Sequence, residues 1–142
     1  MKIVFDTSVL IAAFYKPLHA PCFSKDVFDY VVHYEEGIVS ADILKEFRDK
    51  CVKKLGFPLQ RTLRLESIVK RKLHLVRPGR LHVKLPNVLK LRDPSDRHIV
   101  DLALAVKADL ILTWDQDLLS LKQVRHIRIF SPSNFWNSLQ QM

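Results

Sequence analysis

Four carboxylates stand in separate segments of the sequence, at positions where a parallel sheet would bring them to one edge. Asp6 directly follows an apolar run near the N-terminus, and Asp115 stands just after a second apolar run. Asp96 lies in the first turn of a predicted helix, and Glu46 lies in another. Because ligands of open parallel sheets bind beyond the carboxyl ends of the strands, we expect these four side chains to converge.

The chemistry of such a cluster follows from its charge. Carboxylates that lie close together repel one another unless cations lie between them. Oxygen ligands at this density suit Mg²⁺ or Mn²⁺, which keep several waters and also bind phosphate oxygens. A site of this kind activates water and neutralises charge on a phosphoryl group, so it favours hydrolysis of a phosphate ester.

Helical periodicity distinguishes the candidate metal ligands from other polar residues on the same helices. Asp96 falls on the apolar face of its helix, whereas Asp101 and His98 point away from that face. We therefore interpret Asp101 as a solvated residue and His98 as a surface residue or one that lies behind the metal ligands. Glu46 lies at the flank of the apolar stripe of its own helix, and the other acids of that helix lie opposite the stripe.

Ordinary structural roles compete for several of these acids. Asp6 can equally cap the helix that follows it. Asp93 precedes Pro94, which favours a helix cap over a metal ligand. Asp117 is a candidate cap for the short turn at Leu118. Each acid alone is weak support for a site, and their common placement is the stronger argument.

Strands and helices alternate in the predicted secondary structure, which indicates an α/β protein. This pattern predicts a three-layer α/β/α fold with a central, mainly parallel sheet, and residues 1–142 as a single domain. Gly37 is predicted to break the second helix, and residues 77–92 are predicted to form a loop. The predicted strands are 2–5, 38–39, 73–76, 109–113 and 125–130, and the predicted helices are 9–15, 23–33, 41–55, 59–72, 93–107 and 132–139.

The charge distribution points to a polyanionic partner. The chain has 142 residues, of which 23 are Lys or Arg and 15 are Asp or Glu, for a net charge of +8. Residues 45–90 hold 14 of the basic residues and three of the acidic ones, a net +11, so the remainder carries −3. An acidic centre alone would repel a phosphodiester backbone, whereas a basic surface beside it would hold that backbone in place. This combination of charges is typical of a metal-dependent nuclease.

Other classes of protein are disfavoured. No apolar run approaches the ~20 residues that span a bilayer, so we expect no membrane association. Asp6 interrupts the apolar stretch at the N-terminus, which argues against a signal peptide. Cys22 and Cys51 are far apart and lack a Cys-x-x-Cys pattern, so we expect reduced thiols in a cytoplasmic protein.

Four segments, in order, resemble the sequence motifs of the PIN-domain family, in the branch that contains VapC-like toxins of toxin–antitoxin pairs. The likeness extends over nearly the whole chain, because the closing strand and its following helix at 124–135 are also similar to that family. The motifs are the Ile-Val-Phe-Asp-Thr-Ser-Val-Leu run at 3–10, Ser-Ala-Asp-Ile-Leu-Lys-Glu-Phe at 40–47, Asp-Pro-Ser-Asp-Arg at 93–97 and Thr-Trp-Asp-Gln-Asp-Leu-Leu at 113–119.

The resemblance implies an endoribonuclease that uses one or two Mg²⁺ or Mn²⁺ ions to drive water against an RNA phosphodiester, leaving a 5′-phosphate. Carried over to this sequence, it implies that four acids hold the metal and are catalytic, namely Asp6, Glu46, Asp96 and Asp115. It also implies RNA as substrate, a small antitoxin protein as partner of a type II toxin, and a homodimer.

The same resemblance implies auxiliary residues around these ligands. Thr7, Ser8 and Thr113 would orient ligands or water, and Asp117 would assist. Ser8 stands where the family commonly has Asn, which affects fine positioning more than metal binding. The basic helices would line the RNA path, with Lys53, Lys54, Arg71 and Lys72 as the candidate RNA-binding residues.

Four other functions are weighed against this one. A phosphatase with an aspartyl nucleophile would need a second Asp where Ser8 stands, and a phosphoacceptor domain of the receiver type would need adjacent acids after the first strand. A non-catalytic RNA-binding module on the same scaffold, and a stand-alone RNA-processing nuclease without an antitoxin, both stay open. Loss of one of the four acids would favour the binding module, and all four are present.

Overall fold

Strands and helices alternate along the chain in the computed structural model, which describes residues 1–15, 22–77 and 94–141, without the side chains of 94 and 95. The strands are β1 (Lys2–Phe5), β2 (Glu36–Ser40), β3 (His74–Val76), β4 (Leu110–Leu112), β5 (Gln123–Val124) and β6 (Ile127–Phe130). The helices are α1 (Thr7–Tyr15), α2 (Phe23–Tyr34), α3 (Ala41–Lys53), α4 (Leu59–Lys72), α5 (Pro94–Ala105), α6 (Gln116–Leu121) and α7 (Pro132–Gln140).

The described strands form one sheet in the order β3-β2-β1-β4-β6-β5. Every neighbouring pair is parallel except β5 and β6, which are antiparallel. Helices flank this sheet, which confirms the predicted α/β class with a mainly parallel sheet. The chain runs outward from β1 through β2 to β3 and then crosses back to β4 on the other side of β1. The strand order therefore reverses between β1 and β4, which is where open α/β sheets bind ligands.

The central strand β1 is buried along most of its length. Ile3, Val4 and Phe5 are all fully buried, as expected for a parallel strand that is covered on both faces. Any polar residue directly after Phe5 is therefore held at the edge of the core. Asp6 occupies that position.

The boundaries of several predicted elements differ in the structure. Gly37 does not end a helix, because α2 already ends at Tyr34 and Gly37 is buried within β2. A Cβ atom at Gly37 would lie 2.4 Å from Cδ2 of Leu73, so close packing explains this glycine. The predicted strand at 125–130 begins later, as β6 at Ile127, because Arg125 has a φ of 53° and lies in the turn that connects β6 with the preceding antiparallel strand β5. The first helix begins two residues earlier than predicted, at Thr7.

Two predictions lie outside the described residues: the loop beyond Arg77 and the cap assigned to Asp93. Among the residues that are described, no helix combines the length and apolarity that crossing a membrane requires. Cys51 is buried and Cys22 is partly buried, and both are free thiols.

An ion pair around a buried carboxylate fastens α3 to α4. Arg48 donates from Nε and Nη2 to the two carboxylate oxygens of Glu66, each at 2.7 Å, and Lys70 Nζ lies 3.4 Å from Glu66 Oε1. Glu66 is 4% exposed. Burial alone would raise the pKa of Glu66, but the hydrogen bonds from Arg48 and Lys70 outweigh burial and lower it. The basic middle of the sequence thus contains one acid with a clear structural role.

We predict that Glu66→Gln destabilises the protein by about 1–3 kcal/mol at pH 7, because the buried site loses hydrogen bonds between charged groups. The folded-state pKa of Glu66 lies below its unfolded value, so its stabilisation is present above about pH 4.3 and is lost as the pH falls. Urea unfolding of both proteins between pH 7 and pH 3 measures this difference.

The matched control is Asp29→Asn, which removes the exposed ion pair with Lys25 on α2. It should change the free energy of unfolding by less than about 1 kcal/mol. An equal decrease in the free energy of unfolding in the two variants, or a decrease in Glu66→Gln that does not depend on pH, would contradict the role of Glu66.

Candidate metal centre

The carboxyl ends of β1 and β4 lie side by side and position the first candidate residues. Phe5 is aligned with Leu112 in the parallel ladder, and the backbone N–H of Asp6 donates to the carbonyl of Leu112 at 3.0 Å. Asp6 and Thr113 are therefore the first residues past two adjacent strands. The convergence of segments that are more than 100 residues apart follows from this register.

Two hydroxyl groups hold the carboxylate of Asp6. Its Oδ2 accepts a hydrogen bond from Thr113 Oγ1 at 2.7 Å and another from Ser8 Oγ at 3.0 Å. Asp6 is 8% exposed. Burial raises the pKa of Asp6, the nearby charge of Glu46 raises it further, and the two hydroxyls partly offset this effect. Both donors are neutral, so they orient the carboxylate without neutralising its charge.

The same two hydroxyls also fasten the loop that follows β4. Thr113 Oγ1 accepts a hydrogen bond from the backbone N–H of Asp115 at 2.9 Å, and Ser8 Oγ accepts one from the backbone N–H of Trp114 at 3.0 Å. Each hydroxyl thus donates to Asp6 and accepts from the loop. Thr7, the third residue expected here, is buried, and its hydroxyl has no hydrogen-bond partner among the described residues.

Three aspartates form a cluster next to this network. Asp96, at the start of α5, lies with Asp115 and Asp117 such that one carboxylate oxygen from each is within 4.8 Å of the others. Asp96 is 4% exposed, Asp115 is half-buried and Asp117 is exposed. Carboxylate oxygens are the ligands that Mg²⁺ and Mn²⁺ prefer, so this donor set fits such an ion.

Asp115 has a second role that the sequence did not indicate. Its Oδ1 accepts a hydrogen bond from the backbone N–H of Asp117 at 2.8 Å, so Asp115 is the N-cap of α6. The prediction that Asp117 caps a short turn is therefore wrong. The cap stands two residues earlier because the helix begins at Gln116.

Glu46 lies apart from the three-aspartate cluster and contacts two basic side chains. Lys50 Nζ lies 2.8 Å from Glu46 Oε1, and His98 Nε2 lies 3.5 Å from Oε2. The hydrogen bond with His98, together with Lys50, lowers the pKa of Glu46 to about 2 despite the opposing effect of burial. Glu46 is therefore ionised, and its negative charge contributes to the raised pKa of Asp6.

The structure places the neighbours of Asp96 differently from a simple helical wheel. His98 is half-buried, and its Nε2 lies 3.5 Å from Oε2 of Glu46. The prediction that Asp101 is solvated is wrong for its Oδ1, which is buried and has no hydrogen-bond partner in the described part of the chain. Leu102 is also buried, so the buried face of α5 is wider than the periodicity indicated.

The four basic residues predicted to bind RNA do not share one surface depression. Lys53 and Lys54 line a depression of about 380 Å³ along α3 that also includes Glu46. Arg71 lines a separate depression of about 610 Å³ on α4, and Lys72 is exposed at the end of that helix. The first pair thus shares its depression with Glu46 alone among the predicted metal ligands, and the second pair lies on another surface.

Two residues at the site were not assigned a role from the sequence. Lys50 contacts Glu46, and its spacing of four residues on one helix could have indicated this pair. Trp114 stands between Thr113 and Asp115 and is 36% exposed. A large aromatic residue that stays partly exposed between two site residues is the signal that could have singled it out.

Comparisons with known proteins bear on the fold of this chain. A family model described as the PIN domain matches residues 2–117. The structure is similar to VapBC2 from Rickettsia felis bound to a DNA fragment from its promoter, with a TM-score of 0.65, 14% identity, and coverage of 92% of this chain and 98% of the other. It is also similar to VapC20 from Mycobacterium tuberculosis, a Sarcin-Ricin loop cleaving toxin, with a TM-score of 0.59, 14% identity, and coverage of 89% and 98%. No match was found among curated protein sequences.

Proposed function

This chain belongs to the PIN-domain family, and on that premise we propose that it is a metal-dependent endoribonuclease. The observation that carries the proposal is the meeting of Asp96, Asp115 and Asp117 within 4.8 Å beside the hydroxyl-bound Asp6. A cluster of carboxylates at this density favours a divalent cation as the group that reduces their mutual repulsion.

Each acidic residue has a distinct part in the proposed reaction. Asp96, Asp115 and Asp117 would hold Mg²⁺ or Mn²⁺, one or two ions in number, while Asp6 and Glu46 complete the acidic site. A bound ion would lower the pKa of a water molecule and neutralise charge on the phosphate. Ser8 and Thr113 keep the Asp6 carboxylate and the loop of Asp115 in one fixed arrangement, which preserves the spacing of the ligands.

The RNA backbone is proposed to follow the basic residues that border the site. Lys53 and Lys54 share a depression with Glu46, so a phosphate that they hold would lie near the acids. Arg71 and Lys72 would contact the strand farther along, over α4. The substrate is thus held by its phosphates on a basic surface while the acidic centre acts on one of them.

We further propose that the protein is the toxin of a type II toxin–antitoxin pair in the cytoplasm, with a small antitoxin protein as its partner, and that it forms a homodimer. Its fold is similar to those of VapBC2 and of VapC20, which is described as a Sarcin-Ricin loop cleaving toxin. All four family acids are present, so cleavage is favoured over RNA binding alone.

We predict that Asp6→Asn and Asp115→Asn each reduce RNA cleavage by roughly 100-fold or more, because each removes a charge from the acidic site while keeping the shape of the side chain. EDTA should abolish cleavage by the wild-type protein, and excess Mg²⁺ or Mn²⁺ should restore it. Gel analysis of a labelled RNA measures the rate, and the products should carry 5′-phosphates.

Asp29→Asn, an exposed acid on α2, serves as the control and should cleave at the wild-type rate. Full cleavage in EDTA, or a wild-type rate in either site variant, would rule out the proposed mechanism.

A second prediction concerns the basic residues. The double variant Lys53→Glu/Lys54→Glu should bind RNA more weakly than the wild type, because the reversed charges repel the phosphates. The logarithm of its RNA affinity should also fall less steeply with the logarithm of the salt concentration. This slope should decrease by about 0.7 for each phosphate of a single strand that the variant no longer neutralises. The variant Arg71→Glu/Lys72→Glu should show the same effects if the strand continues over α4. Fluorescence anisotropy across a range of salt concentrations measures both.

Lys107→Glu is the matched charge reversal, because Lys107 is exposed and precedes β4, at the end of the sheet opposite the acids. This variant should keep both the affinity for RNA and the slope of its salt dependence near the wild-type values. Binding unchanged in both double variants would mean that the RNA does not follow this basic surface.

A further inference from the structure

The loop between β4 and α6 has three residues, 113–115, and it determines where two of the clustered aspartates lie. Asp115 belongs to this loop, and Asp117 lies in the first turn of α6, the helix that Asp115 caps. The three loop residues belong to neither a strand nor a helix. The contacts that hold residues 113–115 therefore set the spacing of the carboxylates in the cluster.

The backbone of this loop is anchored to β6 and to α1. The N–H of Thr113 donates to the carbonyl of Phe130 at 3.0 Å, which continues the sheet by one residue. The N–H of Trp114 donates to the hydroxyl of Ser8, and the N–H of Asp115 donates to the hydroxyl of Thr113. A third element, α2, contacts the loop through a side chain.

That side chain is the indole of Trp114, and its partner lies 90 residues away in the sequence. Nε1 of Trp114 donates to Oγ of Ser24 at 2.9 Å. Ser24 lies in the first turn of α2 and is 2% exposed, whereas Trp114 is 36% exposed. Water has little access to the Ser24 hydroxyl, so loss of the indole donor would leave that buried group without compensation. The bond thus ties the loop to a fixed point within the protein.

Trp114 connects this fixed point with acids on both sides of the site. Its backbone N–H donates to Ser8, whose hydroxyl in turn donates to the carboxylate of Asp6. Its carbonyl group is joined directly to the nitrogen of Asp115. A movement of Trp114 away from Ser24 would therefore displace Asp115 and release the hydroxyl that orients Asp6.

We propose that Trp114 is a positioning residue of the metal centre, whose bond to Ser24 holds Asp115 and Asp117 at the distance from Asp96 that a divalent cation requires. Mg²⁺ demands nearly ideal octahedral geometry, so small displacements of its ligands weaken binding. Trp114 acts through its neighbours in the loop and makes no contact with the ion. This inference rests on the proposed metal-dependent function and adds α2 to the elements that determine metal affinity.

The first test is titration calorimetry of Mn²⁺ into variants that remove the bond from either side. Trp114→Phe keeps an aromatic ring but lacks the donor, and Ser24→Ala lacks the acceptor. Each should lower the Mn²⁺ affinity by roughly 2- to 10-fold, the equivalent of one hydrogen bond. The double variant should bind no more weakly than the single variants, because all three lack the same bond.

Two matched controls separate positioning from a general loss of stability. Ile38→Val removes a methylene from a buried residue of β2, which should destabilise the protein without moving the loop. Trp136→Phe removes the indole of the other tryptophan, which packs against the core from α7. Both variants should bind Mn²⁺ with wild-type affinity at a temperature at which circular dichroism shows every variant to be folded.

The second test measures the same coupling in the opposite direction. A contact that favours metal binding is itself favoured by the bound metal, by the same factor. The sequence has two tryptophans, so the NMR signal of the Trp114 indole N–H is identified by its absence in Trp114→Phe. Mg²⁺ should slow the hydrogen exchange of this N–H in the wild type, and it should leave the exchange of the Trp136 indole unchanged.

Cleavage of RNA gives a third measurement. Ser24→Ala should need a higher Mn²⁺ concentration for its half-maximal rate than the wild type does. At saturating Mn²⁺ its kcat and its KM for RNA should approach the wild-type values, because the bound ion then holds the loop. A rate defect that excess Mn²⁺ does not correct would contradict a role in metal positioning.

The outcomes separate this inference from the function on which it rests. Wild-type Mn²⁺ affinity in Trp114→Phe or in Ser24→Ala, additive losses in the double variant, or an indole exchange rate that Mg²⁺ does not change would overturn the positioning role while leaving the metal centre in place. Absence of Mn²⁺ binding to the wild-type protein would overturn the proposed metal centre, and this inference with it.

Discussion

Electrostatic repulsion between carboxylates at the end of the sheet is the constraint on which the site depends. Asp6 and Asp96 are almost fully buried, and burial of a charged group is costly. The contacts that surround the carboxylate differ from one acid to the next. Two hydroxyls orient Asp6 without neutralising it, whereas Glu46 forms an ion pair with Lys50 and also contacts His98. The cluster that includes Asp96 has the composition of a divalent-cation site.

The parallel sheet makes this arrangement of charge possible. A reversal of strand order beside β1 leaves a crevice at the carboxyl ends of β1 and β4, and residues distant in sequence meet there. The hydroxyls of Ser8 and Thr113 then join Asp6 to the loop after β4. Because each hydroxyl has a partner on both sides, the acidic site and the exposed Trp114 belong to one connected structure.

The sequence predicts the parts of this site that local patterns determine. Asp6 and Asp115 could be placed because an apolar strand precedes each one, and Asp96 because it falls on the apolar face of a helix. The pairing of Glu46 with His98 could not be predicted, since it joins side chains from two helices that are distant in sequence. Gly37 was misassigned for a similar reason: its small size is required by the packing of Leu73 from another segment, which no local pattern records.

The central claim, that the converging acids form a divalent-cation site, is tested most directly by titration calorimetry of Mn²⁺ into the purified protein. We predict binding to the wild type, an affinity at least about 10-fold weaker in Asp96→Asn, and wild-type affinity in the surface control Asp29→Asn. Absence of Mn²⁺ binding to the wild type, or equal binding by Asp96→Asn, would contradict this claim.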